Sequence, residues 1–342
     1  MIKHYTIPVF IPELACPFRC AFCNQEKISG HRHIPEESEI RCIVDSYLKS
    51  FKQPERHVEI GFFGGTFTGI PLEEQERYLK TVVPYLKSGL INGIRLSTRP
   101  DYINKEVLDL LKKYGVTTIE LGAQSLDDEV LRASYRGHTA ERVATASKAI
   151  LDYGFDLGLQ MMIGLPDDTF EKSMTTAEKI IALGASNTRI YPALVIKDTA
   201  MHRWYKQGRY HPLSLDEAVE WSKHLLLLFE KNNVAVIRMG LHPSEGLVDG
   251  SELVAGPFHP SFRELVLTEI WGDILKPLTD KIAEKENIVI KVNPSQLNYA
   301  TGYSGKNRKR LLQNFNSVKI IASSKIKGRN FVVEHAKIST IG

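Results

Sequence analysis

From Tyr5 to Leu194, short runs of β-branched and aromatic residues alternate with longer stretches in which apolar side chains recur every three or four positions. The runs read as strands and the stretches as amphipathic helices. Strands are expected at Thr6–Ile11, Val58–Phe63, Gly93–Ser97, Thr118–Gly122, Asp156–Ile163 and Asn187–Leu194, and helices at Glu36–Phe51, Leu72–Lys87, Lys105–Tyr114, Asp127–Arg132, Ala140–Tyr153 and Thr169–Leu183. Six βα units of this kind build a parallel sheet. Without a GxGxxG dinucleotide fingerprint they favour a partial or full βα (TIM-like) barrel over a doubly wound sheet. The fold class is therefore α/β, with the chemistry at the C-terminal ends of the strands.

A Ser214-x-x-Glu217 capping pattern opens a helix that runs to Asn232, followed by the run Val234–Arg238 and an irregular stretch, His242–Phe262. The charged segment Asp280–Asn287 is the best linker candidate. It divides the chain into residues 1–280, a barrel with a C-terminal extension, and residues 285–342, a small α+β module. In the module the pattern gives a strand, Ile288–Val292, a short helix, Ser295–Ala300, and the loop Gly302-Tyr303-Ser304-Gly305. A basic helix, Lys306–Phe315, and strands Val318–Ala322 and Phe331–Glu334 follow.

Charge adds to this picture. The net +4 of the 342-residue chain is uneven, because from Lys285 to Gly342 eleven Lys or Arg stand against two acidic residues. A basic terminal module on a mildly acidic body suits a polyanionic partner. The hydrophobic share of 43% and charged share of 25% are those of a globular protein with a large core. Met1–Leu14 has no long apolar run and no small-residue cleavage site, so a cytoplasmic location without membrane insertion is expected.

Four cysteines are too few for a disulfide framework, and three of them, Cys16, Cys20 and Cys23, fall within eight residues just after the first strand. Three thiolates on one tight loop can hold three irons of a four-iron, four-sulfur cluster and leave the fourth open to the amino and carboxylate groups of S-adenosylmethionine (SAM). Phe22, beside the last cysteine, offers a ring to cover the adenine. A zinc site completed by His31, His33 or Cys42 is the structural alternative, although a second cysteine pair is absent. Cys42, in a helical stretch, is expected as a small buried apolar residue.

The cysteine spacing, followed at the second strand end by Gly64-Gly65-Thr66-Phe67, resembles the radical SAM superfamily signature. More narrowly, Thr98-Arg99-Pro100-Asp101-Tyr102, Gly122-Ala123-Gln124-Ser125 and Arg136-Gly137-His138-Thr139 resemble the radical SAM core of the Elongator catalytic-subunit family, which modifies the wobble uridine of transfer RNA. The resemblance covers Tyr5 to about Leu194. It implies an enzyme that reduces SAM to methionine and a 5′-deoxyadenosyl radical, with Cys16, Cys20 and Cys23 as metal ligands. Gly64 and Gly65 would let backbone approach SAM, whose ammonium the exposed carbonyl and the Thr66 hydroxyl can receive. The resemblance sets Arg132 against the SAM carboxylate, Gln124 and Gln160 toward the ribose, and Ile163 and Leu165 at the adenine edge. Ser97 stands where these relatives carry an acid, and is expected to line the site with a hydrogen bond in place of a charge. Nothing after Leu194 resembles the acetyltransferase domain of Elongator-type enzymes, and Cys42 alone cannot supply the second cysteine trio of a methylthiotransferase.

The terminal module is similar to a minimal KH fold, in which a GxxG loop between two helices clamps the nucleic-acid backbone. By that similarity Gly302, Tyr303, Ser304 and Gly305 would admit a phosphate while Lys306, Arg308, Lys309 and Arg310 neutralise its neighbours. The expectation is a radical SAM enzyme acting on RNA, with transfer RNA as partner and a flavodoxin or ferredoxin as electron donor. Two alternatives stay open: a radical SAM enzyme acting on a small molecule such as a tetrapyrrole, and a non-catalytic RNA-binding metalloprotein.

Overall fold

The computed structural model describes residues 3–11, 20–24, 27, 33–53, 55–279 and 286–336. The chain divides into two compact units, one of Met1–Ala218 with Leu225–Pro260, the other of Val219–His224 with Ser261–Gly342. In chain order the elements are β1 (Lys3–Phe10), α1 (Glu37–Ser50), β2 (Arg56–Phe63), α2 (Leu72–Lys87), β3 (Gly93–Thr98), α3 (Lys105–Lys113), β4 (Val116–Gln124), α4 (Asp128–Ala133), α5 (Ala140–Asp152), β5 (Asp156–Ile163) and α6 (Phe170–Ala182). They continue with β6 (Asn187–Pro192), β7 (Val195–Ile196), α7 (Ala200–Lys206), α8 (Leu215–Lys231), β8 (Ala235–Met239), α9 (Glu245–Val248), β9 (Leu253–Ala255) and α10 (Phe262–Thr279). The last are β10 (Asn287–Val292), α11 (Leu297–Thr301), α12 (Lys306–Leu311), β11 (Ser317–Ala322) and β12 (Phe331–Ala336).

Seven described strands form one open sheet in the order β1-β2-β3-β4-β5-β6-β8, every pair parallel. The sheet curls into a partial βα barrel. Side chains of successive strand residues point to opposite faces. One face is apolar, with Ile60, Phe62, Ile94, Leu96, Leu121 and Leu159 all buried beneath the helices. Four helices of this unit begin at a capping residue: the side chains of Asn104, Asp127, Thr139 and Thr169 accept amides of the first helical turn, each cap stabilising by about 1 kcal/mol. In α1 the buried residues Ile40 and Val44 share one stripe, and Cys42, two positions on, lies round the other side of the helix. It is exposed, not the buried apolar residue expected.

The opposite, inner face of the sheet carries charge. Glu120, 1% exposed, accepts from Arg189 Nε at 2.5 Å and Nη2 at 2.9 Å, and lies 3.2 Å from Arg95 Nη1. Arg95 also pairs with Glu59 at 3.0 Å. Burial alone would raise the Glu120 pKa, but the guanidiniums of Arg189 and Arg95 outweigh it and hold the carboxyl below the ordinary range. Two carboxylates and two guanidiniums thus neutralise each other across four strands.

In the second unit the sheet order is β11-β10-β12, with β10 parallel to β11 and antiparallel to β12. Its core gathers Trp271 and Leu275 of α10 with Ile288, Ile290, Val292 and Leu311. α10, upstream of the expected boundary at 280–285, therefore packs with this unit; residues 280–285 of the expected linker lie outside the described residues. The basic helix ends at Leu311 and not at Phe315, because the chain turns there and buries Phe315 in the same core. Among the described residues no helix is long and apolar enough to cross a membrane.

Glu120→Ala should lower unfolding stability by about 3–5 kcal/mol, because two guanidiniums lose their buried partner. Urea melts of the two proteins check this, and an unchanged midpoint would mean that the inner-face pairs do not hold the sheet.

Candidate active site

The described part of the cysteine loop is pinned at three points. Ala21 N–H donates to Ser134 O at 2.9 Å, Met201 N–H to Ala21 O at 2.9 Å, and Cys23 N–H to Cys20 O at 3.0 Å. The loop is thereby fixed between the end of α4 and the start of α7. Phe22 packs in an apolar cluster with Leu165, Val130, Val195 and Tyr210, against which Cys23 and Met162 also rest. Lys27, just beyond, is 2.7 Å from both Asp198 and Glu252. Cys16, the first expected ligand, lies outside the described residues. Among the described residues no three His, Cys, Asp or Glu gather as a metal site. Of the residues of the zinc alternative, His33 pairs with Glu39 at 2.9 Å, and His31 lies outside the described residues.

Positive charge surrounds the Cys20 sulfur. Arg136 Nη1 lies 3.3 Å and Arg99 Nη1 3.8 Å from Sγ. Both arginines are almost fully buried, at 6% and 2% exposure. Arg99 is held by Asp101, with Nε at 3.1 Å and Nη2 at 2.5 Å, and donates to Arg136 O at 2.7 Å. Arg136 Nη2 donates to Gly122 O at 2.5 Å, and its Nε is buried without an acceptor. A Cβ on Gly122 would come within 2.9 Å of both Arg136 Nη2 and Gln124 Nε2, so only glycine lets those two groups lie over the strand end. His138 Nε2 is 3.3 Å from Ala123 O. Its burial, with the Arg136 charge beside it, takes its pKa down to about 3, so it is neutral at physiological pH. These residues fit an iron–sulfur cluster: soft sulfur donors from Cys20 and Cys23, with buried positive charge beside them to match an anionic group. The motifs containing Arg99 and Arg136 were visible in the sequence, but their role was not: Arg99 directly follows β3, whereas Arg136 comes only after α4, twelve residues past the end of β4.

The remaining expected residues cluster around the same strand ends in part. Gly64 and Gly65 follow β2 directly, and Thr66 is buried. A Cβ on Gly64 would stand 2.8 Å from Ile11 O, so its glycine serves the close approach of the neighbouring strand end, a reason distinct from ligand approach. Gln124 is buried at φ 67°, and its Oε1 has no donor. Gln160, in contrast, donates to Ser97 Oγ at 3.1 Å and to Glu120 at 3.3 Å, which joins Ser97 and Gln160 to the inner-face charges. Strand alternation puts Gln160 and Met162 on one face of β5 and Ile163 on the other, so Met162 is the apolar strand-end residue on the inner side. Arg132 is exposed on α4. Past β5 the turn at Gly164 is clamped: Asp168 accepts from Gly164 N and Ser173 Oγ, both at 2.8 Å, and Tyr210 donates to Gly164 O at 2.6 Å. Burial pushes the Asp168 carboxyl up to about 6, against the hydrogen bonds that favour its ionised form.

This architecture and site correspond to known models. The model "Radical SAM superfamily" matches residues 11–180 and "Radical_SAM C-terminal domain" matches residues 186–271. The chain belongs to the radical SAM superfamily and is a radical SAM enzyme, whose cofactors are a four-iron, four-sulfur cluster and SAM. It is 26% identical over 239 residues to the "tRNA uridine(34) acetyltransferase" of Dehalococcoides mccartyi, covering 60% of this chain and 52% of that one. It is 30% identical over 201 residues to human "Elongator complex protein 3", covering 53% of this chain and 37% of that one. The chain thus spans about half, or less, of the length of these relatives. The archaeal Methanocaldococcus infernus Elp3 superposes with a TM-score of 0.63 at 21% identity over 82% of this chain and 65% of its own, a likeness of fold.

Replacing Cys16, Cys20 or Cys23 by alanine should abolish the iron chromophore of the anaerobically reconstituted protein, whereas Cys42→Ala should leave it intact. Visible absorbance and iron content check this, and a chromophore that survives loss of any one of the three would overturn the ligand set.

Asp168 generates a pH dependence. Its folded pKa, about 6, lies above the ordinary value of 3.8, so the folded state holds the proton more tightly. Stability should therefore fall as pH rises between those two values, by on the order of 3 kcal/mol at most, and stay level above. Asp168→Asn removes the titration, and melts from pH 4 to 7 should lose that slope.

Proposed function

We propose that this enzyme modifies RNA, with transfer RNA as its substrate, and that the second unit holds the RNA. The observation that carries this reading is the combination, in one chain, of a barrel related to proteins named for transfer-RNA uridine chemistry with a basic β–α–GxxG–α–β–β unit.

Cys20 and Cys23, with Cys16, would hold the cluster, which with SAM bound would supply the one-electron chemistry for hydrogen abstraction. Around it the chain binds and shields. The Gly64–Thr66 turn and the Thr66 hydroxyl receive the SAM ammonium, and Arg132 is offered to its carboxylate. Gln124 Oε1, buried and lacking a donor, accepts from the ribose hydroxyls. Gln160 and Ser97, already bonded to each other, form the polar floor beneath. Phe22, Met162 and Leu165 form the apolar wall against the adenine and exclude water. A flavodoxin or ferredoxin supplies the electron.

On the second unit the two glycines differ. Gly302 has φ 85°, and a Cβ there would stand 2.7 Å from Asn307 N, so its role is in the fold. Gly305, at φ 74°, has open space around it. Three loop amides are spent internally: Gly302 N on Asn298 O, Tyr303 N on Thr268 Oγ1 and Gly305 N on Gly302 O. RNA binding therefore falls to exposed Ser304 and to the basic helix. There Glu269 engages Lys306 at 2.5 Å and Arg310 at 3.3 Å, while Arg308 Nε donates to Val318 O, which leaves Lys309 as the least committed cation.

Transfer RNA should accelerate SAM cleavage, and cells lacking the gene should lose a modified nucleoside in a mass profile of their transfer RNA. If neither occurs, the small-molecule reading replaces this one. Replacing Lys306, Arg308, Lys309 and Arg310 by Gln should weaken transfer-RNA binding and flatten its salt dependence by about one log–log unit for each phosphate no longer neutralised. Glu269→Gln should act in the opposite sense by freeing Lys306 and Arg310. Gly305→Asp, strained at φ 74° though no atom crowds it, should weaken binding while RNA-independent SAM cleavage persists.

A further inference from the structure

We infer that Arg136 is a positioning residue for the cluster: it is the built-in counter-charge that favours the reduced state and opposes burial of the empty site. The inference rests on Cys20 being a cluster ligand. Among the described residues Arg99 has its carboxylate partner in Asp101, whereas the partners of the Arg136 guanidinium are the Cys20 sulfur and the Gly122 carbonyl, with Nε left over. His138, the neighbouring titratable group, is neutral and cancels nothing. Among the described residues the pocket around Cys20 thus carries one positive charge in excess, the buried Arg136, 3.3 Å from the sulfur.

The excess matches the chemistry of the group. A four-iron, four-sulfur core in its oxidised form with three thiolates carries one net negative charge, and one electron from a ferredoxin- or flavodoxin-class donor makes it two. No proton moves in this step and no bond breaks. A fixed guanidinium within hydrogen-bond reach of a ligand sulfur stabilises the second negative charge more than the first, which raises the reduction potential. Without the cluster, the same guanidinium is a buried cation lacking a counter-ion, which is destabilising.

The test uses the full-length protein, cluster-loaded and cluster-free, as wild type, Arg136→Gln and Arg136→Lys. In EPR-monitored redox titrations Arg136→Gln should have a lower midpoint, with the reduced signal at a fixed donor potential down by about tenfold, and Arg136→Lys should stay near wild type. In thermal melts Arg136→Gln should leave the cluster-free protein as stable as wild type or more so, and lower the melting temperature of the loaded protein. A merely structural arginine would lower both melts and leave the midpoint unmoved, and either of those results overturns the inference. A wild-type chain that takes up no cluster overturns the ligand assignment along with it.

Discussion

Charge on the inner face of the curled sheet has to be neutralised where it stands, and much of the first unit follows from that. The core of a βα barrel is ordinarily packed with branched apolar side chains. Here Glu59, Arg95, Glu120 and Arg189 occupy that face and hold one another across four strands. Three register shifts support the arrangement, between Ile94 and Arg95, Gly122 and Gln124, and Thr188 and Arg189. The extra residues are Thr117 and Ala123 of β4 and Ile237 of β8. A bulge bends the strand that carries it and re-aims the side chains just past it, here Thr118 and Gln124 of β4 and Arg238 of β8.

The strand and helix pattern was legible in the sequence because it is local. The apolar periodicity and the cap at Ser214 lie within a few residues of the elements they specify. The inner-face pairs and the surroundings of Cys20 were not legible, since Glu120 and Arg189 are 69 residues apart and Cys20 and Arg136 are 116 apart. No window of sequence contains both members. Glycine gave a mixed signal for a related reason: Gly64 and Gly302 answer to neighbouring backbone, which the motif alone does not reveal.

The two units treat cations differently. In the first, guanidiniums are buried and geometrically fixed, so their effect is nearly independent of salt. In the second, Lys306 and Arg310 sit half-exposed over one carboxylate, where screening by salt is strong. Ionic strength therefore acts on the proposed RNA interface and leaves the cofactor site almost untouched.

Cys42 stands exposed on α1, while Cys20 is buried and Cys23 partly covered. This difference in access gives the protein a chemical handle. A thiol-reactive fluorophore applied to the loaded enzyme attaches at the helix surface and spares the less accessible Cys20 and Cys23. The same exposure lets two molecules join through Cys42 in air, so a covalent dimer isolated under aerobic conditions reports the chemistry of one surface thiol and not the native assembly.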